Sequence, residues 1–261
     1  MPAAQPIVRR TEIQSGIHAI GVSTADVLMV HSSLSALGWV EGGADAVIDA
    51  LLDAVAPEGT VVMPTFTWDT YHDAHGVAFD VGQTPSETGR ISETFRRRPN
   101  ALRSTHICHS VTAVGPMASH LLGDGVHSFG IGSTFDRLYM ANAWIVLLGV
   151  DFSVCTALHM VERFADVPYR HYRDYARSRV VQADGKTVPS RSLEYLREPG
   201  YSNDFAKMGR ILAKDGVTRT ARIGHGIVTV VRIRDLFTHT MQRMRQDIGF
   251  LLSEDSKKPM Q

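Results

Sequence analysis

The sequence lacks most of the features that mark special classes of protein. Only two cysteines, Cys108 and Cys155, occur in 261 residues. That is too few for a disulfide scaffold, and both lie in apolar stretches, as in a reduced cytoplasmic protein. Neither charge is in surplus: 27 basic residues balance 27 acidic ones, which removes the electrostatic case for a nucleic acid or an anionic membrane as partner. No run is apolar for long enough to span a bilayer, and the opening MPAAQPIVRRTEIQ has no apolar segment of the secretory type. Internal repeats and low-complexity linkers are also lacking, so a single domain over residues 1–261 is expected. With 44% hydrophobic and 21% charged residues, the chain has enough apolar surface to bury a substantial core.

What is present is an alternation of short apolar runs and amphipathic stretches. Val27 to Val30 in ADVLMVHSSL read as a buried strand. In ADAVIDALLDAVAPEGT, apolar residues fall at helical spacing until Pro57 and Gly59 stop the helix, and GTVVMPTF reads as a second buried strand. ANAWIVLLGVD is a third, running into a helix at FSVCTALHMVERFAD. RSRVVQADGKTV suggests a hairpin turning near Asp184-Gly185, and SNDFAKMGRILAKDGV an amphipathic helix. STHICHSVTAVG has the β-branched content of a strand. The order is that of an α/β layered core, with strand order and direction left open.

Three places could carry chemistry. After the first strand, HSSLSALG offers small residues whose backbone amides can converge, and a helix starting there would aim its positive end at an anion. Ser32, Ser33, Leu34 and Ser35 could therefore bind phosphate, or form a plain polar turn; neither a dinucleotide glycine fingerprint nor a P-loop is present. In TALHMVE, His159 and Glu162 are three apart and share a helix face. A glutamate that holds an imidazole gives a general base near neutral pH, although a surface pair would have the same spacing. His106 and His109 point to opposite faces if their segment is extended; in a loop they could join Cys108 around a metal. Asp69 and Asp73 lie in TFTWDTYHDAHG beyond the second strand, where α/β proteins build sites.

Together VHSSLSALGWVEGG, GTVVMPTFTW, FRRRPNALRSTHICHSVTAVG, GSTFDRLYMANAWIVLLGVD and TALHMVE resemble, in order, the aminoglycoside 3-N-acetyltransferase (antibiotic N-acetyltransferase) family. The resemblance runs from about Asp26 to the last helix. It departs at Ile107 and Cys108, where the family usually has proline and threonine between two histidines, and at Cys155 and Ala157, where it usually has asparagine and serine. Those changes bear on the choice of substrate more than on acetyl transfer, since His159 and Glu162 are in place.

The resemblance implies an α/β fold, a layered central sheet flanked by helices, with a less regular substrate-binding part. It also implies acetyl-CoA as cosubstrate without a metal, and a small cationic amine as acceptor, in a monomer or homodimer. His159 would be the base and Glu162 its orienting partner. Thr156, Ser110 and His31 would be candidates for the oxyanion donor. The CoA pyrophosphate would lie on Ser32 to Ser35 next to His31, and Gly38, Val40 and Ser110 would line the pantetheine path. A polycationic acceptor needs carboxylates to offset its desolvation; Asp69, Asp73 and Glu162 are the first candidates, then Glu194, Glu198 and Asp204. Rival readings are transfer to a biosynthetic amine (an amino sugar or an aminophosphonate), a metal-dependent hydrolase built on His106, His109 and His159, and a non-catalytic CoA-binding protein.

Overall fold

In the computed structural model of the chain, residues 7–68, 76 and 78–256 are described. In chain order the strands are β1 (Ile7–Val8), β2 (Val27–Ser32), β3 (Trp39–Val40), β4 (Thr60–Pro64), β5 (Ala78–Asp80), β6 (Leu102–Arg103) and β7 (Val111–Val114). They continue with β8 (Trp144–Leu148), β9 (Arg170–Asp174), β10 (Arg179–Val181), β11 (Thr187–Pro189), β12 (Leu193–Arg197), β13 (Arg219–Ile223) and β14 (Gly226–Arg232). The helices are α1 (Arg10–Ala19), α2 (Gly43–Val55), α3 (Arg90–Phe95), α4 (Ala118–Leu121), α5 (Thr134–Met140), α6 (Ala157–Phe164), α7 (Ala206–Lys214) and α8 (Ile233–Met244).

Seven strands form the central sheet in the order β13-β14-β8-β2-β4-β7-β6. β2 runs parallel to both neighbours, β8 and β4, and the flanking pairs are antiparallel. The sheet is therefore mixed, with its three parallel strands at the centre. Those are the three apolar runs visible in the sequence, and continuous apolarity is what a strand covered on both faces requires. Along β2, Val27 and Met29 join one core while Leu28 and Val30 join the other. The same alternation sends Ile145 and Leu147 of β8 to the first core and Trp144, Val146 and Leu148 to the second. Helix α2 faces the second core with Val47, Ile48, Leu51 and Val55, at spacings of three and four. Helices α5, α6, α7 and α8 cover the opposite face.

Outside the sheet, β12 pairs antiparallel with β9, and β10 lies between β5 and β11. These small sheets are the less regular part, and β10–β11 is the hairpin expected around Asp184-Gly185. The expected strand through His106 and His109 is not found. The chain is extended only from Val111, and residues 107–109 form a bend held by a side chain: His106 Nδ1 accepts the N–H groups of Cys108 and His109 at 3.3 and 3.0 Å. That local bond competes with strand pairing.

Candidate active site

The three central parallel strands end on one cleft of about 450 Å³, whose wall includes Ser32 from β2, Pro64 from β4 and Val150 just beyond β8. Carboxyl ends of parallel strands are where α/β sheets place ligands, because the loops leaving them diverge. Two polar atoms on this wall, His31 Nε2 and Ser32 Oγ, are buried without a hydrogen-bond partner among the described residues. Burial pushes the His31 imidazole down to about 4, so it is neutral at pH 7 and can donate or accept one bond. Buried polar groups without partners are rare enough to call for an explanation, and a ligand in the cleft supplies one. Thr156, at the start of α6, lines the same cleft with Phe66, Trp68, Glu87 and Phe205. A second hollow, of about 440 Å³ along residues 173–178, includes none of these groups.

His159 and Glu162 do meet on α6: Nδ1 lies 2.6 Å from Glu162 Oε2. The carboxylate only accepts, so the ring carries its proton on Nδ1 and presents Nε2 as a lone pair. Rings of Phe129 and Phe205 flank the imidazole with centroids 5.2 and 4.8 Å away. Glu162 is fully buried, which by itself would raise its pKa. The His159 hydrogen bond, the nearby Arg170 charge and the Asn203 amide outweigh that and lower it. Arg170 Nε sits 2.8 Å from Oε2, out of line for its own N–H bond, and Asn203 Nδ2 donates to Oε1 at 2.8 Å. Burial, then Arg170, pushes His159 down to about 4 against the pull of Glu162. A fifth of the side chain stays exposed and solvent tempers the drop, but the imidazole is neutral at pH 7.

Arg170 and Asn203 escaped the sequence reading. They arrive from β9 and from the loop before α7, and only long-range folding brings them to the carboxylate. Phe66, Trp68, Glu87 and Phe205 were missed for the same reason.

The HSS turn is built differently from its sequence-based reading. The Ser33 amide donates to Leu148 O at 2.9 Å, continuing the β2–β8 pairing, so it is not a free donor. Residues beyond it turn into a short 3₁₀ helix at Ser35–Leu37, over Gly149. Gly149 has φ 70°, and a Cβ there would come within 2.9 Å of the Ala36 Cβ and 3.1 Å of Ser33 O; only glycine lets the loop lie this close. Leu34 is partly buried against the second core. Gly38 and Val40 stand outside the cleft wall, Gly38 beside the His225 ring and Val40 in the second core. Ser110 is fully buried and off the cleft wall: its Oγ donates to Thr65 O at 2.7 Å and accepts from Arg103 Nε at 3.1 Å.

His106 and His109 converge instead on Glu194, which is buried. His109 Nδ1 is 2.7 Å and His106 Nε2 3.9 Å from Glu194 Oε2. Among the described residues no three His, Cys, Asp or Glu side chains are arranged to hold a metal ion. Glu198 pairs with His171 at 2.5 Å and Asp204 with Arg210 at 3.6 Å. Asp69 and Asp73 lie outside the described residues. No helix among the described residues is long and apolar enough to cross a membrane.

This arrangement can be set beside known proteins. Aminoglycoside N(3)-acetyltransferase IV of Salmonella sp is 31% identical over 245 residues, covering 92% of this chain and 88% of its own. Aminoglycoside N(3)-acetyltransferase VII of Streptomyces paromomycinus is 30% identical over 272 residues, covering 93% of each. The crystal structure of aminoglycoside acetyltransferase AAC(3)-IVa as apoenzyme superposes with a TM-score of 0.79 at 28% identity, over 96% of this chain and 93% of that one. A mutant of that enzyme in complex with a gentamicin superposes with a TM-score of 0.77 over the same shares at 28% identity. The sequence model for aminoglycoside 3-N-acetyltransferases matches residues 29–245, from the strand that carries His31 to the last turn of α8. With most of its length matched, and with relatives at this identity along nearly all of it, the chain belongs to the aminoglycoside 3-N-acetyltransferase family.

Proposed function

We propose that this protein transfers the acetyl group of acetyl-CoA to an amine of an aminoglycoside, the 3-amino group of the deoxystreptamine ring, by direct transfer in the cytoplasm. The observation that carries the reading is the Glu162-held imidazole of His159 next to a cleft with unpartnered polar atoms at the ends of the parallel strands. Family membership supplies the reaction class, and the gentamicin-bound neighbour points to the class of acceptor.

In this mechanism His159 Nε2 takes a proton from the attacking amine, while Glu162 keeps Nδ1 protonated and offsets the imidazolium charge. Because His159 is a weak base, its imidazolium readily hands the proton on to the departing thiolate. The carbonyl oxygen gains charge in the tetrahedral intermediate and needs donors placed beforehand. Thr156 Oγ1 and a neutral His31 stand on the cleft for that role, whereas Ser110, occupied by Arg103 and Thr65, acts through packing. Ser32 Oγ and the turn from Leu34 to Ala36 would receive the CoA phosphates. That assignment uses the amides after Ser33, whose own N–H serves the sheet. The buried His31 Nε2 and Ser32 Oγ fit a polar cosubstrate in the cleft. Glu87 on the cleft wall, with Asp69 and Asp73, would meet the acceptor's ammonium groups.

The test is release of free CoA from acetyl-CoA with a panel of aminoglycosides and simple amines, and the product's gain of one acetyl group by mass spectrometry. Acetylation of an aminoglycoside at the 3-amino group is expected. Turnover only with uncharged or anionic amines would replace the aminoglycoside with a biosynthetic acceptor.

A further inference from the structure

The molecule contains a second imidazole held by a buried glutamate, and the mechanism above leaves it without a task. His109 lies on the bend after His106, and Glu194 comes from β12. Their 2.7 Å contact repeats the His159–Glu162 arrangement, again through Nδ1. By the same reasoning His109 presents Nε2 as a lone pair, and that nitrogen has no partner among the described residues.

The two histidines on Glu194 have different work. His106 spends both ring nitrogens on the backbone: Nδ1 accepts from Cys108 and His109, and Nε2 donates to Leu193 O at 3.3 Å. It is structural. His109 is wrapped by aromatic rings that lead to the site. Phe66 and Trp68, both on the cleft wall, have centroids 4.5 and 5.5 Å from it. Phe129 is 5.2 Å from His109 and also 5.2 Å from His159, so both imidazoles pack against the same ring.

Proton accounting gives this pair a role. An alkylammonium acceptor loses two protons on becoming an amide. The first must leave before nitrogen has a lone pair, and the second leaves once the carbon–nitrogen bond has formed. One of them ends on the CoA sulfur and the other goes to solvent. An alkylammonium has a pKa of about 10, and His159, pushed down to about 4, is poorly matched to the first transfer.

We propose that His109, oriented by Glu194, is a second base that takes the proton converting the acceptor's ammonium into the attacking amine. The inference rests on the acetyl transfer proposed above. His109 removes the first proton and passes it to solvent. The neutral amine attacks the thioester carbonyl, His159 takes the second proton from the nitrogen, the carbon–sulfur bond breaks, and His159 returns that proton to the thiolate. The titratable groups facing His109 are Glu194 from β12, His106 from its own bend, and His159 from α6, with Arg170 behind His159.

The experiment compares kcat/KM for a cationic aminoglycoside from pH 6 to 10 in the wild type and in His109→Gln, with thermal melting as a folding control. The variant is expected to lose at least about a hundredfold at pH 7, the lower end of the range of a general base. The loss should shrink as pH approaches the acceptor's own pKa, where the amine arrives neutral. A loss of the same size at every pH, or none, overturns the proposal. Glu194→Gln keeps a hydrogen-bonding group on Nδ1 but removes the charge. It should give the same pH-dependent loss, smaller in size, and if His109→Gln does not fold, a Glu194→Gln profile parallel to the wild type overturns the proposal by itself. A wild type that acetylates no aminoglycoside defeats the functional reading; active wild type with parallel profiles defeats only the second base.

Discussion

Arg170 Nε and Glu162 Oε2 lie 2.8 Å apart, and the same oxygen engages His159, so one buried carboxylate oxygen serves a fixed cation and a titrating one. Removing Arg170 should release His159 from a neighbouring positive charge. In Arg170→Met the His159 pKa is expected to rise, and the acidic limb of the pH–rate profile should move to higher pH. The broken buried pair should also cost on the order of 3 kcal/mol of stability, measured by urea unfolding. A limb that stays in place would remove Arg170 from the tuning of the base.

His159→Ala should lower kcat by at least about a hundredfold, the lower range of general-base catalysis, with acetyl-CoA affinity nearly unchanged. Glu162→Gln should lose less, because the amide can still hold the ring. Steady-state kinetics beside calorimetric titration of acetyl-CoA checks both. Near-normal turnover by a folded His159→Ala protein would refute its role as base.

Because the Ser33 amide belongs to the sheet, Ser33→Pro should damage the fold before it damages cosubstrate binding. It removes the bond to Leu148 O next to a central parallel pair, where a proline is poorly tolerated. Differential scanning calorimetry should show a clear fall in Tm, while Ser33→Ala stays close to the wild type. A stable Ser33→Pro protein with weakened acetyl-CoA binding would return the phosphate contact to this amide.

Acid should destabilise the protein over a defined window. Burial pushes His31 and His106 from the ordinary 6.5 down to about 4, and burial with Arg170 does the same for His159. Above pH 6.5 folded and unfolded chains both hold neutral imidazoles and stability is level. Below it the unfolded chain binds protons that the folded one refuses, so stability falls until about pH 4, where the folded state binds them too. Each fully buried imidazole should contribute on the order of 3 kcal/mol, and the partly exposed His159 less. Denaturant midpoints between pH 7 and 4 measure the slope, and His31→Gln should flatten it.

Acceptor recognition by acids predicts a salt effect. Glu87→Gln, Asp69→Asn and Asp73→Asn should each raise the aminoglycoside KM with a smaller effect on kcat, and added salt should do the same to the wild type. An acceptor KM indifferent to salt and to all three substitutions would place the cation contacts elsewhere.

The central strands were legible because burial on both faces demands unbroken apolar runs, as in Trp144 to Leu148. Their order was not, since a run of valines and leucines carries no information about its neighbour. His159 and Glu162 could be paired in advance because a helix converts a spacing of three into proximity. Glu162's other partners come through folds of the chain that no local spacing encodes; Asn203 is 41 residues away. His106 misled the strand reading through one side chain: β-branched neighbours suggested extension, while its Nδ1 captured two amides and bent the backbone.

The His159–Glu162 pair occupies four consecutive residues of one helix, while Glu194 and Arg170 come from the β9–β12 ribbon beside it. Such a division separates what must stay from what can drift. The connections of the ribbon, including the hairpin of β10 and β11, lie apart from the turn of helix that holds His159 and Glu162 together. Change in the ribbon is therefore constrained chiefly at residues 170 and 194, which must keep their register for Arg170 to reach Glu162 and for Glu194 to reach His109.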